Sequence, residues 1–169
     1  MTYTLKNAQW ANEKIIAELF GDDMPLGREY GTPLRDHIDS EPIMQNWYAG
    51  MRIMLTINRD KDEGFVNGME AEIVRREGVG FTVVDVLGAE HNVYPMTDRH
   101  YRTFYPMRPA YAVNLSKMQG ETLEHITLWL DTPHVPAAMY MALSRVRRLE
   151  DIVFLGTVTT RHIRPSRYV

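Results

Sequence analysis

The sequence predicts an α/β protein: a parallel sheet with flanking helices, interrupted by a small antiparallel β segment. Three observations predict it. Apolar strand-like runs alternate with helix-like stretches towards the two ends of the chain, a pattern that predicts parallel strands buried on both faces. Between residues 49 and 96 the spacing changes to short strands separated by tight turns, the mark of a small barrel or meander. At 169 residues and 44% hydrophobic content, the chain can bury one core and reads as a single compact domain. It has room for an insertion but not for a second full domain.

Taken in order, residues 2–5 (Thr-Tyr-Thr-Leu) read as a short strand, and Asn7 is suited to cap a helix running from Ala8 to about Phe20. Ala11, Ile15, Ile16, Leu19 and Phe20 recur at helical spacing and Gly21 supplies the stop, so one face should pack on a sheet. Residues 21–42 are rich in Gly, Pro and acids without a sustained period, and read as a long irregular connection. Strands are expected at 51–57, 69–74, 81–87 and 91–94, with turns at Asp62-Glu63-Gly64, Asn67-Gly68, 77–80 and Gly88.

The run 99–105 interleaves Arg99, His100 and Arg102 with Tyr101, Phe104 and Tyr105. Such a run can stack on single-stranded bases while neutralising phosphates. It can equally be a barrel strand or linker packing its aromatics inward, the commoner use and the one expected here. Strands follow at 112–115 and 125–130, either side of a loop around Gln119-Gly120. Pro136 is placed to open a helix ending near Arg145 or Arg148, and 151–155 is a final buried strand.

Charge is unevenly distributed. The formal net charge is −3, but residues 1–50 carry −4, residues 51–100 carry −3 and residues 101–169 carry +4. A local positive face is what phosphate binding requires, whatever the total. The chain has no cysteine, and its six histidines (37, 91, 100, 125, 134, 162) lack ligand spacing, so no metal site is expected. Its polar start and the lack of a membrane-length apolar run point to an intracellular protein.

A phosphate-binding loop ending in Gly-Lys-Ser/Thr is also missing, for no Gly-Lys pair occurs. The one Asp-Glu pair, Asp62-Glu63, follows a charged turn instead of closing an apolar strand, so it is no Mg²⁺ ligand. A Gly-x-Ser-x-Gly elbow is absent, which argues against an independent hydrolase.

Two stretches carry a family resemblance. Tyr111-Ala-Val-Asn-Leu-Ser-Lys-Met-Gln-Gly-Glu-Thr122 and Met139-Tyr-Met-Ala-Leu-Ser-Arg-Val-Arg147 resemble the fifth and sixth signature motifs of superfamily-1 helicases of the RecD, Dda and PIF type. Leu5-Lys-Asn-Ala-Gln-Trp-Ala-Asn12 resembles their fourth motif. Gly50-Met-Arg-Ile-Met-Leu-Thr-Ile-Asn58 with Phe65-Val-Asn-Gly68 resembles the segment where those helicases insert a small barrel, although Ala71 stands where a glycine is common.

The resemblance implies a RecA-like second motor domain at 1–58 and 107–169, with a small β-barrel inserted at 59–106. It implies that Arg145 is an arginine finger, and that Gln119, Gly120 and Glu121 meet nucleotide together with it. It assigns Asn7, Asn114, Ser116, Lys117 and Thr122 to DNA. The chain departs from the motif at Ser116, where His is usual, and at Met118, where Ser is usual.

ATP and Mg²⁺ would be bound only with an N-terminal, Walker-bearing half, and the implied partners are single-stranded DNA and that half. Two readings stay open: a motor whose other half is supplied separately, and a stand-alone binding module derived from one. The basic tail 161–167 is open in the same way, between a sugar-phosphate contact and a solvated terminus.

Overall fold

The computed structural model describes residues 1–2, 4–33, 41–58, 65–115, 122–131 and 137–163. The contacts divide the chain into two compact units, Lys14–Tyr111 and Met1–Glu13 with Ala112–Val169. Each has its own hydrophobic core, where a single core was expected. The middle of the chain builds enough sheet to enclose apolar side chains by itself. No helix among the described residues is long and apolar enough to cross a membrane.

The chain opens with Thr2 bridged to Asn114, and α1 then spans Leu5–Phe20. It therefore starts three residues before the expected Ala8, and of the expected strand at 2–5 the described residues show a single bridge at Thr2 and Leu5 in the helix. Thr4 is the cap: its Oγ1 accepts from the Asn7 backbone N–H at 3.2 Å and its carbonyl accepts from Ala8 N–H at 3.1 Å. Asn7 lies inside the first turn and its side chain has another partner. The buried positions of α1 are Ala8, Asn12, Ile16 and Phe20, four apart, while Leu19 faces solvent. The stripe is thus narrower than the apolar residues alone implied.

In the unit 14–111, β1 (Gly27–Gly31) and β2 (Ile43–Trp47) pair antiparallel, from Gly27↔Trp47 to Gly31↔Ile43. This ladder lies within and beside the stretch expected to be irregular. The strand GREYG has a glycine at each end and charges between them, so it shows no apolar alternation to read.

Next come β3 (Arg52–Leu55), β4 (Glu70–Glu77), β5 (Gly80–Asp85) and β6 (Glu90–Val93), within a few residues of the expected strands. A two-stranded ribbon of β7 (Met96–Thr97) and β8 (Thr103–Phe104) follows, then β9 (Met107–Pro109). The five-stranded sheet has the order β6-β5-β4-β3-β9 and every pairing in it is antiparallel. Its edges β6 and β9 do not meet, so among the described residues the sheet is open and the expected barrel is not closed. Trp47, Met51, Ile53, Leu55, Ile73, Phe81, Val83, Val93 and Met107 are fully buried in this unit's core. In β4 the buried residues Ala71 and Ile73 lie two apart, the period that puts one face of a sheet on a core, whereas β5 is buried continuously from Gly80 to Val83.

The other unit holds β10 (Ile126–Trp129) parallel to β11 (Ile152–Leu155), in register from Ile126↔Ile152 to Trp129↔Leu155. Residues 1 and 2 lie beside two neighbouring segments. Thr2 N–H donates to Val113 C=O and Leu115 N–H to Thr2 C=O, while the Met1 amine donates to Thr127 C=O and Trp129 N–H to Met1 C=O. The expected strand at 112–115 is thus reduced to the bridge at Asn114. The strands are not buried on both faces as expected. Ile126, Leu128 and Ile152 point inward, whereas Thr127, Val153 and Leu155 are exposed.

Helix α2, Ala138–Leu143, is also shorter than expected, with its C-cap at Ser144. Pro136, the expected start, lies outside the described residues. A 3₁₀ turn at Leu149–Asp151 leads into β11.

Candidate nucleotide and nucleic-acid interface

The expected site residues that the structure describes fall in the unit formed by residues 1–13 and 112–169, in two groups. The first centres on Arg145. Helix α2 buries Ala138, Met139 and Ala142 in the core and ends two residues before it. Just beyond the helix the backbone runs beside residues 122–123: Leu123 N–H donates to Arg145 C=O at 2.6 Å, and Leu123 forms a parallel bridge with Val146. Leu123, the residue that follows the Tyr111–Thr122 stretch, and the Met139–Arg147 stretch, about two dozen residues apart in sequence, are thereby hydrogen-bonded neighbours.

The Arg145 guanidinium folds back on its own helix. Its Nε donates to Met141 C=O at 3.1 Å, and its Nη2 lies 2.9 Å from Ser144 Oγ. A cation at this place meets the negative end of the helix and one of its last carbonyls.

Beside this junction lies a cavity of about 510 Å³ lined by Thr122, Leu123, Glu124, His125, Arg147, Arg148 and Asp151. Arg148 Nη1 is 3.1 Å from Glu150 and His125 Nδ1 is 3.4 Å from Asp151. Thr122 apart, sequence reasoning gave these linings no role. The signal available was the doubled Arg147-Arg148 at the end of the motif, which reads equally well as a solvated charge pair.

The second group lies at the start of α1. Asn7 Nδ2 donates to Asp131 Oδ2 at 2.6 Å, and Thr4 Oγ1 donates to the same oxygen at 3.3 Å. Asp131 follows directly on Leu130, just past β10. Asn114, half-buried, is tied to this group through Thr2, whose Oγ1 donates to Thr4 C=O at 2.8 Å. The structure therefore gathers Asn7 with Asn114, and Thr122 with Arg145. Ser116, Lys117, Gln119, Gly120 and Glu121 lie outside the described residues.

Asn12 was noticed in the sequence only as the second asparagine of the fourth-motif likeness. It is buried, its Nδ2 donates to Ala112 C=O, and its Oδ1 accepts from Ala112 N–H, both at 2.8 Å. The amide thus satisfies both backbone groups of the second residue of the Tyr111–Thr122 stretch. That pairing positions Asn114, two residues further on.

What this arrangement can do is present cations to an anion. Thr122, Arg147 and Arg148 line the cavity together with Glu124, His125 and Asp151, beside the backbone junction that carries Arg145, and two guanidiniums with a hydroxyl are donors suited to phosphate oxygens. A Mg²⁺ site needs clustered carboxylates, and among the described residues no group of three or more His, Asp or Glu side chains gathers in that way.

No family model matches the chain. It is 32% identical over 115 residues to the ATP-dependent DNA helicase PIF1 of Danio rerio, covering 62% of this chain and 18% of that protein. It is 26% identical over 172 aligned positions to the ATP-dependent DNA helicase Pif1 of Bdellovibrio bacteriovorus, covering 89% of this chain and 37% of that one. Among solved structures, one of two coordinating Pif1 helicases unwinding forked duplex DNA superposes with a TM-score of 0.76 at 26% identity. That match covers 98% of this chain and 41% of the other. Pif1 helicase from Candida albicans shares the fold at a TM-score of 0.72 and 16% identity, covering 98% and 47%.

The α/β fold is that of the superfamily-1 helicase structures on which the chain superposes. Within that class the chain is homologous to the Pif1 helicases over most of its length. It spans less than half the length of the relatives it matches.

Proposed function

We propose that this chain is the C-terminal motor half of an ATP-dependent DNA helicase, moving on single-stranded DNA and unwinding duplex together with an N-terminal, Walker-bearing half. The observation that carries the reading is the hydrogen-bonded junction of Leu123 with Arg145 and Val146. It sets the finger candidate beside the end of the stretch that would face nucleotide and DNA. The homology supports the class of function, and the share of each relative that the chain leaves uncovered supports a second half.

In this reading residues 1–58 and 107–169 form the motor domain and 59–106 the insertion, written as a barrel that the described strands leave open. The insertion's ends support that division. Leu55 is paired with Met107, and Thr56 N–H donates to Pro106 C=O at 3.0 Å, so the segment leaves and returns at one place. Nucleotide and Mg²⁺ would sit chiefly on the missing half. This chain would contribute Arg145, with Gln119, Gly120 and Glu121, to the phosphate side, and Asn7, Asn114, Ser116, Lys117 and Thr122 to the strand. The planar, permanently charged guanidinium of Arg145 suits charge developing on a transferring phosphoryl group. To reach it, the side chain must exchange its bonds to Met141 and Ser144 for the phosphate.

The test supplies the N-terminal half in trans or by fusion and measures DNA-stimulated ATP turnover. Arg145→Ala should lower turnover by roughly 10³-fold or more with an unchanged thermal melt. Arg145→Lys should recover little, because an ammonium lacks the planar fork. Near-wild-type turnover in Arg145→Ala would leave Arg145 as a cap on its own helix. It would favour the second reading, a stand-alone nucleic-acid- or protein-binding module, to which the departures at Ser116 and Met118 also point.

A further inference from the structure

We propose that the β7–β8 ribbon is a separate stacking site for single-stranded nucleic acid, with Tyr101 as the platform for an unstacked base and Arg99 and His100 facing the adjoining phosphates. The proposal rests on the reading that the chain engages single strands, and adds a contact outside every motif described above.

Tyr101 stands at the tip of the ribbon, 91% exposed, with a backbone φ of 59°. Neither property serves the fold. A ring this exposed buries almost nothing, and a left-handed backbone is one that glycine adopts freely and a bulky aromatic only against steric resistance. A tip shaped by folding alone would carry glycine or asparagine there. Strain held at an exposed, chemistry-bearing residue points to function.

The tip is also held in shape. Asp98 Oδ1 accepts from the backbone N–H groups of His100 at 2.8 Å and Arg102 at 3.0 Å, and Asp98 Oδ2 meets Arg102 Nε at 2.7 Å. Tyr101 N–H donates to Asp98 C=O at 3.0 Å, and the hydroxyls of Thr97 and Thr103 are 3.1 Å apart at the base of the ribbon. The backbone that carries the ring is therefore held before binding, so less freedom is lost when a base stacks there.

Charge decides the class of partner. Arg102 neutralises Asp98, which leaves the exposed Arg99 as the net charge of the tip, with the exposed His100 beside it. A protein-docking aromatic sits within an apolar patch, whereas the residues around Tyr101 in the ribbon are Thr97, Asp98, Arg99, His100, Arg102 and Thr103. A flat apolar ring flanked by cations matches the alternating base and phosphate of a single strand. The aromatics of the same run divide by role: Phe104 and Tyr105 are buried, and Tyr101 alone is turned out.

The experiment measures binding of the full chain to fluorescently labelled single-stranded DNA and RNA oligonucleotides at low salt, with a matched oligonucleotide of abasic sites. Tyr101→Ala and Tyr101→Gly should each weaken binding to the base-bearing strands by about fivefold or more, and Tyr101→Phe should bind within about twofold of wild type. None of the three should alter affinity for the abasic strand. Tyr101→Gly should melt at or above the wild-type temperature, because glycine accepts the left-handed backbone. Lost binding with retained stability separates a contact from a fold defect.

Equal DNA and RNA effects would mark base stacking as the shared chemistry, and an effect with one alone would assign the site to that nucleic acid. Wild-type-like binding by Tyr101→Ala and Tyr101→Gly overturns the site while leaving the proposed function standing. A wild-type chain that binds no single strand at all overturns both.

Discussion

Asn12 shows what one amide contributes when both its ends are engaged. Its side chain satisfies the N–H and C=O of Ala112 inside a buried site, so deletion leaves two backbone groups without their partner. Asn12→Ala should destabilise the chain by about 1–3 kcal/mol, read from denaturant melts. Asn12→Asp should also destabilise it, since a carboxylate cannot donate to the carbonyl. A melt unchanged in both variants would show that water replaces the amide. The sequence displayed Asn12 only as a helix residue within a motif likeness, because a reciprocal bond across 100 positions has no local signature. Arg145 is the opposite case. Its motif announced it, while its bonds to Met141 and Ser144 lie within four residues and follow from a helix ending just before it. Asn7 was legible as a cap-forming residue type, but Thr4 takes that place and Asp131 takes the Asn7 amide.

Elements with an apolar period were read well, and those without one were missed. β10 and β11 fall inside the expected runs, and β3 to β6 follow the turn signals at Asn67-Gly68 and Gly88, both left-handed in φ. β1 escaped notice because it carries mostly polar and glycine residues, and only its pairing with β2 makes it a strand. α2 ends at Leu143 because its periodic residues run out there, and neither Ser144 nor Arg145 continues the buried face.

The β7–β8 ribbon makes a prediction of its own. Burial opposes the charge on Asp98, but hydrogen bonds from the Arg102 side chain and from the backbone of Arg102 and His100 overcome it and hold the pKa at about 2. Its folded value is therefore below the unfolded one. The resulting stabilisation is complete above the ordinary carboxylate range, and is lost as pH falls from that range through about 2. A carboxyl-carbon NMR titration should place the Asp98 midpoint near 2, and Arg102→Ala should move it upward. A wild-type midpoint at an ordinary carboxylate value would contradict the bonded geometry.

For the whole molecule, the uneven charge matters more than the total. With +4 in residues 101–169 against −3 overall, binding to single strands should be weak and salt-dependent, since half a groove neutralises few phosphates. A slope of log affinity against log salt of about −2 to −3 corresponds to three or four contacts at about −0.7 each. Affinity unchanged between low and physiological salt would argue against an electrostatic surface. The purified chain alone should not turn over ATP, because its sequence has no Gly-Lys phosphate loop. Turnover that survives repeated purification without a second polypeptide would overturn that.

By itself the sequence determined the family likeness, the α/β class, the β-rich middle and the residue types of the site. Each of these is written in local patterns of period, turn chemistry or motif. Only the tertiary structure decided that the apolar residues divide between two cores, that the middle sheet stays open among the described strands, and that residues 122–123 lie against 145–146. It also decided that Tyr101 faces solvent while Phe104 and Tyr105 do not. Those outcomes depend on which distant segments pair and which faces they cover, and pairing energy between distant segments leaves no trace in either segment alone.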